Sequence, residues 1–186
     1  MPAFTLCFWR KSLRRAEKGA RFDRLLLVAI TRVLFVCLGN ACRSPMAEAF
    51  ARAHGADVLE AQSAGLAPAI ALAPLTHAVM LEKDIDLGDF YPKELGLVIN
   101  RVGGAADSVD LIINMSGYEL QLKNPVAVEE WDVSDPIGET EEVFREVRDE
   151  IERRVLLLIE TLRSRKRVES ERVSTRVDSR RRPTRQ

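Results

Sequence analysis

The chain has 186 residues, a length that fits one domain with tails at its ends. Hydrophobic residues make up 46% of it, as in ordinary globular proteins, and no run reaches the ~18 apolar residues expected of a membrane-spanning helix. The formal net charge of zero hides basic ends: residues 1–24 carry +5, residues 163–186 carry +7, and the stretch between them carries −12. Three cysteines are too few for a disulfide framework, so we expect a reducing, cytoplasmic setting.

A buried strand followed by a helix opens the predicted domain. Residues 33–37 (VLFVC) form an apolar, β-branched and aromatic run that is typical of a strand buried on both faces. A loop then leads to Pro45, which suits the first turn of a helix because its missing N–H costs nothing there. Good helix formers with periodic apolar residues continue to His54. The sequence therefore predicts a cysteine at the end of a strand and an arginine just before a helix.

The loop between this strand and this helix has the composition of an oxyanion site. A loop that feeds a helix N-terminus directs several backbone N–H groups inward and adds the positive end of the helix dipole. Arg43 supplies a planar, permanently charged fork that grips two oxygens of an anion. Cys37 is expected at the floor of the loop, where the N–H groups, Arg43 and the Ser44 hydroxyl favour the thiolate. A thiolate beneath a bound phosphate is an in-line nucleophile.

Strand and helix patterns alternate along the rest of the chain. Further strand patterns occur at residues 57–63, 109–115 and 126–131, and helical patterns at residues 75–83, 93–97 and 139–162. This alternation predicts a flavodoxin-like, doubly wound, four-stranded parallel sheet with helices on both faces. Ligands of such sheets bind beyond the carboxyl ends of the strands, so the loop after Cys37 and the loop at residues 132–138 are expected to share one crevice.

The loop after the first strand resembles a known phosphate-binding loop. Residues 37–45 read CLGNACRSP, and this segment, set between an apolar strand and a helix, resembles the phosphate loop of the low-molecular-weight protein tyrosine phosphatases. Their superfamily also includes the thioredoxin-linked arsenate reductases. The resemblance covers roughly residues 32–162, including the Ser-Ala-Gly at 63–65 and the Asp-Pro at 135–136. It implies a phosphatase that hydrolyses phosphotyrosine-type or phosphoarginine-type phosphoprotein substrates through a phosphocysteine intermediate, with no cofactor and no metal.

The resemblance also implies a second catalytic group, after the fourth strand. A thiolate that attacks a phosphoester needs a proton donor for the leaving oxygen. In the family an Asp-Pro in the loop before the last helix supplies it, and Asp135-Pro136 matches in place and sequence. A carboxyl group beside bound phosphate tends to keep its proton, because like charges disfavour ionisation. The predicted catalytic residues are therefore Cys37, Arg43 and Asp135, with Asp132 as the rival proton donor.

The other loop residues are expected to bind the substrate oxyanion and to keep the loop in shape. We expect Ser44 to orient and stabilise the thiolate. Asn40 is expected to hold the loop through side-chain hydrogen bonds, since asparagine tolerates the unusual backbone angles that such loops need. The predicted substrate-binding set is Leu38, Gly39, Asn40, Ala41, Cys42 and Ser44. The expected ligands are a phosphorylated protein or small phosphoester and, in the loop itself, phosphate, sulfate or arsenate.

Two other functions stay open at the level of sequence. Arsenate is a phosphate analogue and would enter the same loop, so an arsenate reductase that uses an external low-molecular-weight thiol is one alternative. No cysteine follows Cys42, which closes the thioredoxin-linked route with its two further cysteines. A non-catalytic phosphate-binding module is the other alternative, although a pure binder needs no thiolate. Ala41 and the Ile-Gly at 137–138 also differ from the residues of tyrosine-specific relatives, which leaves the substrate open.

Basic segments flank the predicted domain. We expect a basic extension at residues 1–31 that is poorly ordered or partly helical, a phosphatase-like catalytic domain at residues 32–163, and a basic disordered tail at residues 164–186. Both basic segments are candidates for binding a polyanion such as nucleic acid, although a solvated tail explains the same composition.

Overall fold

The computed structural model describes residues 30–101, 109–122 and 125–179, which contain four strands and four helices. The elements are β1 (Thr31–Cys37), α1 (Arg43–Gly55), β2 (Leu59–Gly65), α2 (Pro74–Leu81), α3 (Leu95–Arg101), β3 (Leu111–Asn114), β4 (Ala127–Glu130) and α4 (Glu141–Ser179). The strands lie in the order β2-β1-β3-β4, and every neighbouring pair is parallel. The predicted doubly wound parallel sheet is therefore confirmed.

β1 lies at the centre of the sheet and separates two apolar layers. Its residues from Val33 to Cys37 are no more than 1% exposed, as the continuous apolar run predicts. Because successive side chains of a strand point to opposite faces, Phe35 packs with α1, α2 and α4 on one side. Leu34 and Val36 pack with α3 on the other side. Burying a side chain such as Phe35 stabilises the folded protein by about 1.5–3 kcal/mol. A shift of β1 by one residue would move each of its side chains to the opposite face, so this burial fixes the register of the strand.

The carboxyl ends of β1, β3 and β4 lie at the same edge of the sheet. β1 ends at Cys37, the Met115 N–H that follows β3 donates to Val36 O over 2.7 Å, and the Trp131 N–H that follows β4 donates to Asn114 O over 2.8 Å. The cysteine loop and the segment after β4 therefore leave the sheet side by side, as expected for ligand crevices in parallel sheets.

The last helix is longer than its apolar pattern predicts. α4 continues to Ser179, so the expected disordered tail from residue 164 is wrong for residues 164–179. No glycine or proline interrupts this stretch, and Arg163 ties it to the fold by donating to Asp57 and to His54 O. The predicted extension at residues 1–31 lies almost wholly outside the described residues. Within the described ranges, no helix combines the length and the hydropathy needed to cross a membrane.

β2 ends tightly against the cysteine loop. Gly65 pairs with Cys37 across the sheet, and a Cβ atom built on Gly65 would lie 2.8 Å from Leu38 O and 2.9 Å from Asn40 N. Real Cβ atoms do not approach backbone atoms this closely, so the loop has its observed path only because residue 65 has no side chain.

We predict that Gly65→Ala destabilises the protein by about 1–3 kcal/mol, because the added methyl group must displace loop backbone. Gly96→Ala on α3 is the matched control, since its Cβ would meet only Glu94 Oε1 at 3.6 Å. Chemical denaturation measures both variants. Equal stability of Gly65→Ala and the wild-type protein would contradict the tight approach of β2 to the loop.

Candidate active site

The Cys37 sulfur lies at the floor of the loop that joins β1 to α1. Its side chain is buried, and Sγ receives a hydrogen bond from the Asn40 N–H over 3.2 Å. Ser44 Oγ lies 3.0 Å from the same sulfur. Donors directed at a sulfur stabilise its thiolate form. The structure therefore brings together the predicted nucleophile and the serine expected to orient it.

Asn40 holds the middle of the loop. Its backbone has φ of 47°, in the left-handed region that asparagine tolerates better than most residues, and the residue is fully buried. Its Nδ2 donates to Ser44 Oγ and to Ser63 Oγ, each over 2.9 Å. Its Oδ1 accepts the Lys93 N–H over 2.7 Å. One side chain thus ties the loop to the start of α1, to β2 and to the connection before α3.

The loop runs into α1 without a side-chain cap. Arg43 is the first helical residue, and the Met46 N–H donates to Cys42 O over 3.0 Å. Cys42, at the N-cap position, makes no capping hydrogen bond with its side chain. The first N–H groups of a helix have no partner within the helix, so this end of α1 offers donors and a positive dipole end to an anion.

Arg43 crosses from the loop to the ends of β3 and β4. Its side chain is buried, and Nη1 donates to Met115 O over 2.7 Å and to Val133 O over 3.2 Å. Nη2 forms an ion pair with Asp135 Oδ2. Nε is buried without a hydrogen-bond partner among the described residues. The guanidinium is therefore held in place by Nη1 and Nη2, and its Nε–H is left to donate to a ligand.

The structure brings Asp135, and not Asp132, to the cysteine loop. Asp135 Oδ1 accepts the Ile137 N–H over 3.3 Å and lies 3.6 Å from Cys42 Sγ, which donates to it. Asp132 is exposed, and its backbone carbonyl accepts a hydrogen bond from Arg154 over 3.0 Å. Of the two predicted proton donors, Asp135 is the one in contact with Arg43.

Burial, together with the nearby charges of Cys37 and Asp135, raises the pKa of the Cys42 thiol to about 12 against the opposing effect of Arg43. The thiol consequently stays neutral at physiological pH. Its S–H serves as a weak hydrogen-bond donor to Asp135.

The segment at residues 66–73 forms one wall of the loop. Backbone N–H groups of Ala67, Ala69 and Ala73 donate to Leu38 O, Gly39 O and Ala41 O over 2.8–3.0 Å. Thr76 Oγ1, on α2, also donates to Ala41 O over 3.0 Å. These bonds use the outward carbonyl groups of the loop, which leaves its N–H groups free to face inward.

Two apolar side chains near the site residues in sequence are exposed. Leu38 follows Cys37, and Ile137 lies two residues after Asp135. Trp131, which directly follows β4, is 6% exposed and lies 6.0 Å from Phe35 between ring centroids. It therefore packs in the core and does not line the rim.

Sequence reasoning missed two residues behind the loop. Glu48 on α1 is fully buried, and its Oε2 accepts hydrogen bonds from Ser63 Oγ and from Lys93 Nζ, the latter over 3.3 Å. The available signal was a glutamate on the face of α1 that Ser44, Ala51 and Gly55 also share, at helical spacing. A charged residue at such a position is rarely buried without a partner. Among the described residues, no cluster of side chains has the composition of a metal site.

Known proteins are similar to this chain in fold and in sequence. The family described as low molecular weight phosphotyrosine protein phosphatase matches residues 32–168. A glutaredoxin arsenate reductase from Synechocystis sp. is 35% identical over 133 residues, covering 69% of this chain and 95% of its own. A protein-arginine-phosphatase from Geobacillus stearothermophilus is 31% identical over 143 residues, covering 72% of this chain and 97% of its own. A solved arsenate reductase in the phosphate binding state is 33% identical, covers 72% and 99%, and has a TM-score of 0.61.

The family match extends from the second residue of β1 through the cysteine loop and the Asp135 segment into α4. The chain belongs to the low molecular weight phosphotyrosine protein phosphatase family, in which phosphatases and arsenate reductases share one fold.

Proposed function

We propose that this protein is a cysteine-dependent phosphatase that acts on phosphotyrosine-type or phosphoarginine-type phosphoprotein substrates through a phosphocysteine. One observation carries the proposal: the Cys37 sulfur accepts the Asn40 N–H at the floor of the loop, while Arg43 links that loop to the carboxyl group of Asp135. A nucleophile, an anion-binding cation and a proton donor are thereby present in one site. These are the parts that cysteine-dependent phosphoryl transfer requires.

The first half of the reaction transfers the phosphoryl group to sulfur. The loop N–H groups and Arg43 bind the non-bridging oxygens and stabilise the charge that spreads over them. The Cys37 thiolate attacks phosphorus, an S–P bond forms, and the bond from phosphorus to the leaving group breaks. Asp135, in its protonated form, gives its proton to that leaving group.

The second half releases phosphate. The Asp135 carboxylate accepts a proton from a water molecule as the water attacks the phosphocysteine. The S–P bond breaks, inorganic phosphate leaves, and the Cys37 thiolate is restored. Ser44 lies 3.0 Å from Cys37 Sγ, which places a hydroxyl group where it stabilises the sulfur as a leaving group.

Arsenate reduction with an external low-molecular-weight thiol is the second candidate. The relatives named arsenate reductases favour it, because one of them binds phosphate in its solved structure and is 33% identical to this chain. The sequence has no cysteine after Cys42 for the two-cysteine relay of the thioredoxin-linked reductases, so in this candidate function a small external thiol resolves the adduct on Cys37.

We predict that Cys37→Ser abolishes turnover of a small aryl phosphate. Asp135→Asn should lower kcat by about 100-fold or more, because the leaving oxygen then departs without its proton. Asp132→Asn is the matched control and should retain nearly full activity. Steady-state kinetics with the full chain test all three variants.

Two results would contradict the phosphatase proposal. Equal losses of kcat in Asp135→Asn and Asp132→Asn would contradict the assignment of Asp135 as the proton donor. Arsenate-dependent oxidation of an added thiol, without turnover of any phosphate ester, would identify the protein as the reductase instead.

We also predict that iodoacetamide at about pH 7.5 modifies Cys37 far faster than Cys42, because a pKa of about 12 leaves Cys42 almost entirely as the unreactive thiol. A Cys7→Ser background removes the remaining cysteine from the measurement. Peptide mapping by mass spectrometry follows each site. Modification of Cys42 at the rate of Cys37 would contradict the assignment of the nucleophile.

A further inference from the structure

The segment that carries Asp135 has no regular secondary structure of its own. Residues 131–136 lie between β4 and the turn before α4, and they belong to neither a helix nor a strand. The Trp131 N–H still continues the sheet by donating to Asn114 O over 2.8 Å. Beyond that bond, the place of Asp135 depends on contacts from other elements, because backbone groups outside helices and sheets need partners elsewhere.

Two arginines bind consecutive carbonyl groups of this segment. Arg43 Nη1, at the start of α1, donates to Val133 O over 3.2 Å. Arg154 Nη2, in α4, donates to Asp132 O over 3.0 Å. The segment is therefore held by one contact from the end of the cysteine loop and by a second contact from the last helix.

The contacts of Arg43 change during the proposed reaction, whereas the contact of Arg154 does not. Arg43 binds the phosphate oxygens in that mechanism, and Asp135 is protonated when it acts on the leaving group. A protonated Asp135 has no charge to attract the guanidinium, so their ion pair no longer holds the carboxyl group in place. Neither change involves the bond from Arg154 to Asp132 O.

Arg154 is itself held in place. Its Nε donates to Glu150 Oε1 over 2.5 Å, and its guanidinium carbon lies 5.9 Å from the centroid of the Trp131 ring. Ile151 and Val155, which flank it in α4, are fully buried, so the core fixes the helix backbone at this point. A planar guanidinium fixed by these contacts directs its remaining donors at the segment.

We propose that Arg154 is a positioning residue for the proton donor: by binding Asp132 O, it keeps the segment and the Asp135 carboxyl group in place while Arg43 binds the substrate. Proton transfer needs heavy-atom distances of about 2.6–3.2 Å, so a small displacement of the segment is enough to slow it. This inference rests on the proposed function, since it assumes that Asp135 protonates the leaving oxygen.

A purely structural role of Arg154 predicts a different result. Arg154 also stabilises α4 by pairing with Glu150, and Arg153 does the same: its hydrogen bonds within the described residues both go to Glu150, over 2.8 and 2.9 Å. Loss of such a pair lowers the fraction of folded protein, which slows the turnover of every substrate equally. Displacement of the proton donor slows most strongly the substrates whose leaving group needs the proton.

The test compares two esters in the full chain. The leaving group of phenyl phosphate is a poor one, whereas that of 4-nitrophenyl phosphate departs more easily without a proton. We expect Arg154→Met to lower kcat/KM about tenfold for phenyl phosphate and about twofold for 4-nitrophenyl phosphate, so the ratio of the two values changes about fivefold. Arg153→Met is the matched control and should keep the wild-type ratio. Both esters are measured on one preparation, so partial unfolding cancels in the ratio.

Two results would overturn the inference: a wild-type ratio in Arg154→Met, or an equal change of the ratio in Arg153→Met. Arg154→Gln gives the same test if the methionine variant does not fold, because its side chain ends near the position of Nε and lacks the Nη2 donor. A wild-type ratio in a folded Arg154→Gln protein would overturn the inference as well.

Asp135→Asn separates this inference from the proposed function, because in the proposed mechanism it changes the ratio more than Arg154→Met does. A changed ratio in Asp135→Asn with a wild-type ratio in Arg154→Met contradicts this inference alone. A wild-type ratio in Asp135→Asn, or no turnover of either ester by the wild-type protein, contradicts the proposed function and this inference with it.

Discussion

The site depends on one buried asparagine with a left-handed backbone. Asn40 turns the chain so that its own N–H faces the Cys37 sulfur, and its side chain holds Ser44, Ser63 and the backbone of Lys93. A residue with a left-handed backbone stays in that conformation only when surrounding contacts compensate its strain. Four hydrogen bonds from one buried residue supply that opposition, and Gly65 lets the loop lie close enough to β2 to receive them.

Arg43 joins this rigid loop to the opposite side of the crevice. Its guanidinium contacts the carbonyl groups of Met115 and Val133 and pairs with Asp135, so three strand ends meet around one cation. In the proposed mechanism, the group that binds the phosphate is thus the same group that positions the proton donor. In a parallel sheet such convergence is expected only at the carboxyl edge, where the loops after neighbouring strands lie side by side.

Local sequence patterns predicted the parts of the site whose structure depends only on residues that are near in sequence. The apolar run at residues 33–37 predicted the central strand, and the loop and helix after it placed Cys37 and Arg43. The end of α4 was missed because charged residues without apolar periodicity still form helix when no glycine or proline stops them. Glu48 and Lys93 were missed for another reason: they meet only because the connection before α3 crosses behind the loop, a tertiary contact that no local pattern contains.

The central claim is that the sulfur beneath this loop forms a covalent bond to phosphorus. The most direct measurement is rapid denaturant quenching of the enzyme during turnover of an aryl phosphate, followed by mass spectrometry of its cysteine peptides. The account predicts a phosphoryl group on the peptide that contains Cys37, attached to that residue and absent from Cys37→Ser. Turnover of the phosphate ester with no phosphoryl group on Cys37 at any quench time, or with the group on another residue, would contradict it.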